Sequence, residues 1–125
     1  MSERTVVIPG TPDACLSLNG RAHWRVKNKH AKAYRQTAKY AAMAARAEQG
    51  SIRGAVMVHY VFAWEKGRKR MDFDNLVGLA KPALDGLVDA GIMGDDRYVV
   101  GMTAEQTRDP NGVGYLQVTV KEVAE

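Results

Sequence analysis

A nearly unbroken apolar run at residues 55–64 (AVMVHYVFAW) constrains the fold more than any other segment of the chain. The run is short and rich in β-branched and aromatic residues, so it predicts a β-strand rather than a helix. Because polar residues hardly alternate with apolar ones, we expect this strand to be buried on both faces of its sheet. His59 lies in the middle of the run, which favours packing in the core over a role in catalysis. A chain of 125 residues can enclose one such core, so we expect a single domain over residues 1–125.

Two other segments have the apolar spacing of helices that pack on a sheet. The first covers residues 31–49, and the second covers residues 75–90 and ends at Gly91. Pro82 lies inside the second segment. It predicts either a kink at Gly78 or a new helix that begins at the proline itself.

The first helix, which Gly50 ends, carries an apolar stripe and a basic stripe about 100° apart around its axis. Such a basic stripe is typical of a solvated helix face, and beside other basic segments it is also typical of a surface for a polyanion. The apolar stripe consists of Ala31, Tyr34, Ala38, Ala41 and Ala45, and the basic stripe consists of Lys32, Arg35, Lys39 and Arg46.

Three further strands are expected at residues 5–8, 98–107 and 114–120. A strong turn signal at residues 109–112 (DPNG) separates the last two strands and predicts a hairpin. Residues 10–30 have no helical period and are interpreted as a long basic loop. The resulting order is β-α-β-α-β-β. It predicts a mixed α/β or α+β domain, with a mixed sheet of about four strands and two main helices.

Basic residues are concentrated in the first part of the chain, and acidic residues in the second. Up to Met71 the chain has 14 basic and 4 acidic residues, and from Asp72 onward it has 4 basic and 10 acidic residues. A basic half beside an acidic half indicates a polyanionic partner and a separate patch that attracts cations.

The same sequence excludes several classes of protein. Cys15 is the only cysteine, so no internal disulfide is possible, and with the histidines scattered we expect no Cys/His zinc cluster. Neither a signal peptide, nor a membrane span, nor a nucleotide-binding loop motif is found. We therefore expect a reducing, cytoplasmic setting, without a membrane partner or a nucleotide cofactor.

Carboxylates stand before the second helix and before the third strand. Asp72 and Asp74 point the same way if their segment is extended, and Asp95 and Asp96 form a second pair. Each aspartate alone is explained by capping a helix or a turn. Together, without a matching cysteine or histidine, they suit a hard cation such as Mg²⁺ or Mn²⁺. The basic segment 68–70 directly precedes the first pair, and this arrangement suits phosphodiester hydrolysis.

These residues resemble the core of the RusA-type Holliday junction resolvases, which are small, dimeric, Mg²⁺-dependent endonucleases common in phages and prophages. The resemblance is carried by DFDNL at 72–76, KPALDGL at 81–87, AG at 90–91 and DD at 95–96. A weaker resemblance covers Pro9, Pro12, Asn19, residues 23–25 and residues 33–35.

The resemblance implies the roles of individual residues. Asp72, Asp74 and Asp96 would hold Mg²⁺, with Asp95 beside them and with Mn²⁺ as a substitute. Lys81 would contact the scissile phosphate or stabilise its transition-state charge. The gap from Asp74 to Lys81 is longer than in the family by nearly one helical turn, which keeps both side chains on one face. Tyr98 stands where the family often has Gln.

The resemblance further implies a homodimer that nicks four-way DNA junctions symmetrically during recombination and repair, in a bacterial or phage-infected host cell. Trp24 would stack on bases, or else lie in the core or an interface. A non-catalytic basic DNA-binding module and a nuclease for flaps or forks are the alternatives. The predicted DNA-binding residues are Arg21, Arg25, Lys27, Lys29, Lys32, Arg35, Lys39, Arg68, Lys69 and Arg70.

Overall fold

A computed structural model describes residues 2–17 and 23–124 of the chain. It confirms the expected order β-α-β-α-β-β and the mixed four-stranded sheet with two helices. Short 3-10 turns at Ala14–Leu16 and Asp96–Tyr98 precede α1 and β3. The main elements are β1 (Glu3–Pro9), α1 (Trp24–Gln49), β2 (Val56–Trp64), α2 (Phe73–Ala90), β3 (Val99–Arg108) and β4 (Tyr115–Glu122).

The strands lie in the order β1-β4-β2-β3. Strand β4 is antiparallel to both β1 and β2, whereas β3 runs parallel to β2 because α2 carries the chain back between them. The predicted hairpin between β3 and β4 is therefore wrong, since β2 lies between these two strands. The turn instead crosses the end of β2. Asp109 holds it there: its N–H donates to the Trp64 carbonyl, and its carboxylate accepts the N–H groups of Asn111 and Gly114.

Strand β2 is buried on one face and partly exposed on the other, so the prediction of burial on both faces is wrong. Alternate residues from Val56 to Trp64 join the buried residues of both helices in one core. The opposite face is less covered, and His59 lies there with its side chain 39% exposed. His59 contacts the hydroxyl of Thr103 on β3 and lies 3.8 Å from Glu105. It is a surface residue of the sheet, not the expected core residue.

Helix α1 begins at Trp24, about two turns before the predicted start. His23 caps it, because its ring Nδ1 accepts the N–H of Arg25. Residues 24–30 are almost all exposed, so no apolar period marks this part of the helix, and the prediction of a loop up to residue 30 is wrong. Further along, the buried stripe is Tyr34, Ala38, Ala42 and Ala45, while Ala31 and Ala41 are only half-buried.

Helix α2 is uninterrupted, with Pro82 buried inside it, so a new helix does not begin at the proline. Gly91 ends the helix as expected, in the left-handed conformation at φ 74°. Its N–H closes the last turn on the carbonyls of Leu87 and Val88.

The two helices lie in close contact at Gly86. A Cβ atom there would lie 2.6 Å from the Arg35 carbonyl oxygen and 2.7 Å from the Ala38 Cβ. We expect Gly86→Ala to lower the free energy of unfolding by roughly 1–3 kcal/mol, because the backbone of α1 would have to move away. Urea denaturation measures this loss, and Gly86→Val should lose more. If Gly86→Ala is as stable as the wild type, the helices are not tightly packed here.

Candidate active site

The first predicted carboxylates lie at the N-terminus of α2. Asp72 is the residue before the first helical turn and has an extended backbone, whereas Asp74 is already helical. The argument that both point the same way on an extended segment therefore does not apply. Both residues are exposed, and the Asp72 side chain makes no capping hydrogen bond. Capping thus does not account for the Asp72 carboxylate.

Lys81 lies between two other carboxylates. Its Nζ is 2.7 Å from Asp96 Oδ2 and 3.0 Å from Asp85 Oδ1. Hydrogen bonding to Asp96 and then to Asp85 raises the pKa of Lys81, and the same bond from Lys81 lowers the pKa of Asp96. Both groups are consequently charged around neutral pH. Lys81 thus contacts the second acidic pair despite the added helical turn before it.

One face of α2 carries both Asp74, at the start of the helix, and Lys81, which contacts Asp96. Lys81 follows Asp74 by seven positions, which is close to two helical turns, so both lie on one face about 10 Å apart along the axis. Gly78 lies between them and presents no side chain. The carboxylate donors suit Mg²⁺ or Mn²⁺ and are exposed, so the residue types fit a hard cation. In this conformation Asp96 is paired with Lys81.

Asp95 has a local structural role. Its Oδ1 accepts the N–H of Arg97 and begins the 3-10 turn that carries Asp96. The interpretation of Asp95 as a residue that caps a turn is therefore confirmed. The geometry leaves Asp96, rather than Asp95, in contact with Lys81.

A different cluster arises where the sequence predicted none. Within residues 2–17 and 23–124, one set of three possible ligands has all its ligand atoms within 4.8 Å of one another: Asp13, Cys15 and His30. The expectation that Cys15 and the histidines stay apart is therefore wrong for His30. Asp13 Oδ1 accepts the Cys15 N–H, and its Oδ2 lies 3.9 Å from His30 Nδ1. The backbone bond from Cys15 is the main cause that lowers the Asp13 pKa. These contacts attach the first 3-10 turn to α1.

A groove of about 380 Å³ separates the N-terminal half of α1 from α2. Lys32 and Arg35 line one side of it, and Lys81 and Asp85 line the other. A second depression adjoins it and extends to Trp24, since the two share Leu16, Asn28 and Ala31. A basic surface therefore runs from the exposed start of α1 to Lys81, and its charge suits a phosphate backbone.

The predicted DNA-binding residues fall into two groups. Arg25, Lys29 and Lys32 are exposed on the first turns of α1, with Lys27 half-buried among them, and Lys39 lies further along the helix. Lys69 and Arg70 are exposed before α2. Arg21 lies outside the described residues, as does Asn19.

Two predicted cations are already engaged by the protein. Arg35 holds Asp89 through two bonds of 2.6 and 2.8 Å, and this contact lowers the pKa of Asp89. Arg68 lies 4.5 Å from the centre of the Trp64 ring and donates to Thr11, with its side chain 17% exposed. In the basic stripe, Arg46 also donates to the Ala90 carbonyl. Charge alone does not distinguish such residues from those that face solvent.

The sequence did not single out two residues of β3 that contact the segment before Asp72. Arg108 Nη1 donates to the carbonyls of Glu65 and Arg68 at 2.6 Å each, and Gln106 bonds to Met71. Both side chains point to the core face of an edge strand, where apolar residues are usual. The only signal was the polar Gln106 near the end of the strand predicted at residues 98–107, and Arg108 lies just beyond that range.

A comparison with protein families identifies the chain. The family model described as "Endodeoxyribonuclease RusA" matches residues 9–121. The chain belongs to the RusA family. A comparison with curated proteins found no match. Membership in the RusA family implies an endodeoxyribonuclease that acts on Holliday junctions. The matched range contains Asp72, Asp74, Lys81 and Asp96, so the RusA-type residues predicted from the sequence all lie inside it. In the described part of this RusA-family chain, neither helix is long and apolar enough to cross a membrane.

Proposed function

We propose that this RusA-family protein is a Mg²⁺-dependent endonuclease that resolves four-way DNA junctions by paired, symmetric nicks. One observation carries the proposal: α2 presents Asp74 and Lys81 on a single face, and Lys81 contacts Asp96 beside a basic groove. Carboxylates and a charged lysine at one end of a phosphate-binding surface are what phosphodiester hydrolysis requires.

In this mechanism Asp72, Asp74 and Asp96 would hold the metal. Among the described residues their carboxylates do not form a group of three within 4.8 Å, so metal binding would have to bring them together. Bound Mg²⁺, for which Mn²⁺ substitutes, supplies charge neutralisation at the phosphate and an activated water. Lys81 is fully charged and lies at the end of the groove, so it stabilises the negative charge that develops on the scissile phosphate. Asp85 and Asp96 hold the Lys81 ammonium group in place before DNA arrives. Exposed cations of α1, among them Lys32, bind flanking phosphates.

We further propose that the protein acts as a homodimer, since a two-fold junction requires two symmetric nicks. An exposed apolar patch supports this proposal: Phe73, Val77 and Met102 line one depression between α2 and β3 and are each more than two-fifths exposed. Large exposed apolar patches often mark protein interfaces. The setting that the family resemblance implies is the cytoplasm of a bacterial or phage-infected cell. Light scattering of the purified protein measures its oligomeric state.

The experiment that tests the function uses an end-labelled four-way junction and a linear duplex of matched sequence. We expect paired symmetric nicks in the junction with Mg²⁺, none with EDTA, and little cutting of the duplex. Tight binding without nicks under either condition would contradict an enzyme and favour a DNA-binding module. Faster cutting of flaps or forks than of the junction would favour the other nuclease.

Trp24 provides a separate prediction about how DNA binds. Its side chain is 64% exposed, so it is not a core residue, and Arg25 lies 5.4 Å from its ring centre. We expect stacking on a base, so Trp24→Ala should weaken junction binding by about 1–3 kcal/mol, roughly 5- to 150-fold in Kd. Fluorescence anisotropy in EDTA measures this affinity. Trp24→Phe should restore most of it, and the matched control Tyr40→Ala, 61% exposed on the same helix, should leave it unchanged. Equal Kd values for Trp24→Ala and the wild type would contradict stacking.

A further inference from the structure

The side-chain amide of Gln106 makes three hydrogen bonds in the part of the chain that precedes Asp72. Its Oε1 accepts the Met71 N–H at 2.9 Å and the Trp64 indole N–H at 2.9 Å. Its Nε2 donates to the Met71 carbonyl at 2.9 Å. Gln106 therefore pairs with both backbone polar groups of a single residue, and that residue is the one directly before Asp72.

This pairing requires the chemistry of a primary amide. One atom must accept two N–H groups while its neighbour donates to a carbonyl, which a carboxylate or a hydroxyl at the same reach does not do. The Trp64 ring is fully buried, so its indole N–H needs this acceptor, while the two bonds to Met71 orient the amide. Gln106 is itself attached to a strand that pairs with β2 along nine residue pairs, which makes it a rigid support.

Gln106 holds the backbone at the point where the chain enters the candidate site. Asp72 keeps an extended backbone, and the helix that carries Asp74 starts one residue later. With no capping bond of its own, the Asp72 side chain does not fix this entry. Arg108, two residues further along β3, holds the carbonyls of Glu65 and Arg68 in the same way. Strand β3 thus anchors the backbone up to the residue that precedes the carboxylates.

We propose that Gln106 is a positioning residue that sets the positions of the Asp72 and Asp74 carboxylates relative to the metal. This inference rests on the proposed function and assigns Gln106 no contact with DNA or with the metal. Groups that orient metal ligands typically contribute 10- to 100-fold to metal affinity or activity. A small displacement of the ligands has an effect of that size because catalysis depends strongly on the positions of the reacting groups.

The test compares Gln106→Met with Trp64→Phe. The first variant keeps the length of the side chain and removes all three hydrogen bonds. The second variant destabilises the core but leaves the Gln106–Met71 pair intact, so it is the matched structural control. All measurements are made well below the melting temperature of each variant. The readouts are Mn²⁺ binding by the DNA-free protein, the nicking rate at saturating junction, and the junction Kd in EDTA.

For Gln106→Met we expect about 10- to 100-fold weaker Mn²⁺ binding and a nicking rate lowered by a similar factor. The junction Kd in EDTA should stay within about twofold of the wild type, because the basic groove is untouched. Trp64→Phe should keep both Mn²⁺ affinity and nicking rate. If Gln106→Met does not fold, Gln106→Asn serves instead, and its shorter amide should give a smaller loss in the same two quantities.

Two results would overturn the inference. One is a folded Gln106 variant with wild-type Mn²⁺ affinity and nicking rate. The other is an equal loss in Trp64→Phe, which would show that core stability alone is responsible. A wild-type protein that neither binds Mn²⁺ nor nicks the junction would instead contradict the proposed function. The two failures are therefore distinguishable.

Discussion

Replacing Asp72 by Asn is expected to abolish junction nicking while the protein still binds the junction. The change removes one negative charge from the proposed metal site and keeps the size of the side chain. We expect at least about a thousandfold loss in nicking rate, which corresponds to roughly 4 kcal/mol of transition-state stabilisation. The fold should not suffer, since the Asp72 side chain makes no capping hydrogen bond. Single-turnover cleavage of a labelled junction at saturating protein measures the rate.

The junction Kd of this variant, measured without metal, separates binding from chemistry. Affinity should stay the same or increase, because one carboxylate fewer repels the phosphates. Stability should likewise stay the same or rise, which thermal unfolding measures. Asp74→Asn should behave in the same way. Glu48→Gln is the matched control, since it neutralises an exposed carboxylate at the far end of α1. If both aspartate variants nick at the wild-type rate, Asp72 and Asp74 have no role in catalysis.

Replacing Lys81 by Met is the second change with a large expected effect. Loss of a preorganised charge aimed at the transition state typically costs 10²- to 10³-fold in rate, and we expect a loss of that size. Lys81→Arg should recover part of the activity because the charge returns with a different shape. Lys121→Met, an exposed lysine on β4, is the matched control and should nick like the wild type. Full activity of Lys81→Met would exclude the lysine from the chemistry.

The pH dependence of the Lys81 contacts follows from the two pKa shifts. The lowered pKa of Asp96 means that its share of the stabilisation is present above about pH 4 and is lost as pH falls through the lowered value. The raised pKa of Lys81 means that its share is present below about pH 10 and is lost as pH rises through the raised value. Between about pH 6 and pH 9 both groups therefore stay charged. The ratio of the wild-type nicking rate to the Lys81→Met rate should be constant over this range. A ratio that titrates within this range would contradict the pairing.

Local pattern was enough to predict the order and kinds of elements. Gly50 and Gly91 end the two helices where the sequence placed them, and Leu116, Val118 and Val120 alternate into the core as expected. Such features depend on neighbours a few residues away, whose periodicity can be read directly. The start of α1 was missed for the same reason, since residues 24–30 bury almost nothing and leave no period.

The candidate site was predictable as a set of residues but not as an arrangement. The motif around Asp72 and Asp74 and the distant Asp96 were identified from the sequence, whereas the contact between Lys81 and Asp96 joins residues fifteen positions apart. Likewise, the sequence shows a basic half, but Arg35 and Arg68 look the same as Lys32 and Lys69 until their partners Asp89 and Trp64 are known.

By itself, then, the sequence determined the α+β composition, the C-terminal ends of both helices, the charge division and the acidic motif of a RusA-family chain. The tertiary structure decided that β4 lies between β1 and β2, that His59 faces away from the core, and that Gln106 holds the backbone before Asp72. The physical reason is distance along the chain. Strand order, the choice of sheet face and polar partners arise from contacts between segments that are far apart in sequence, and these form only when the whole core closes.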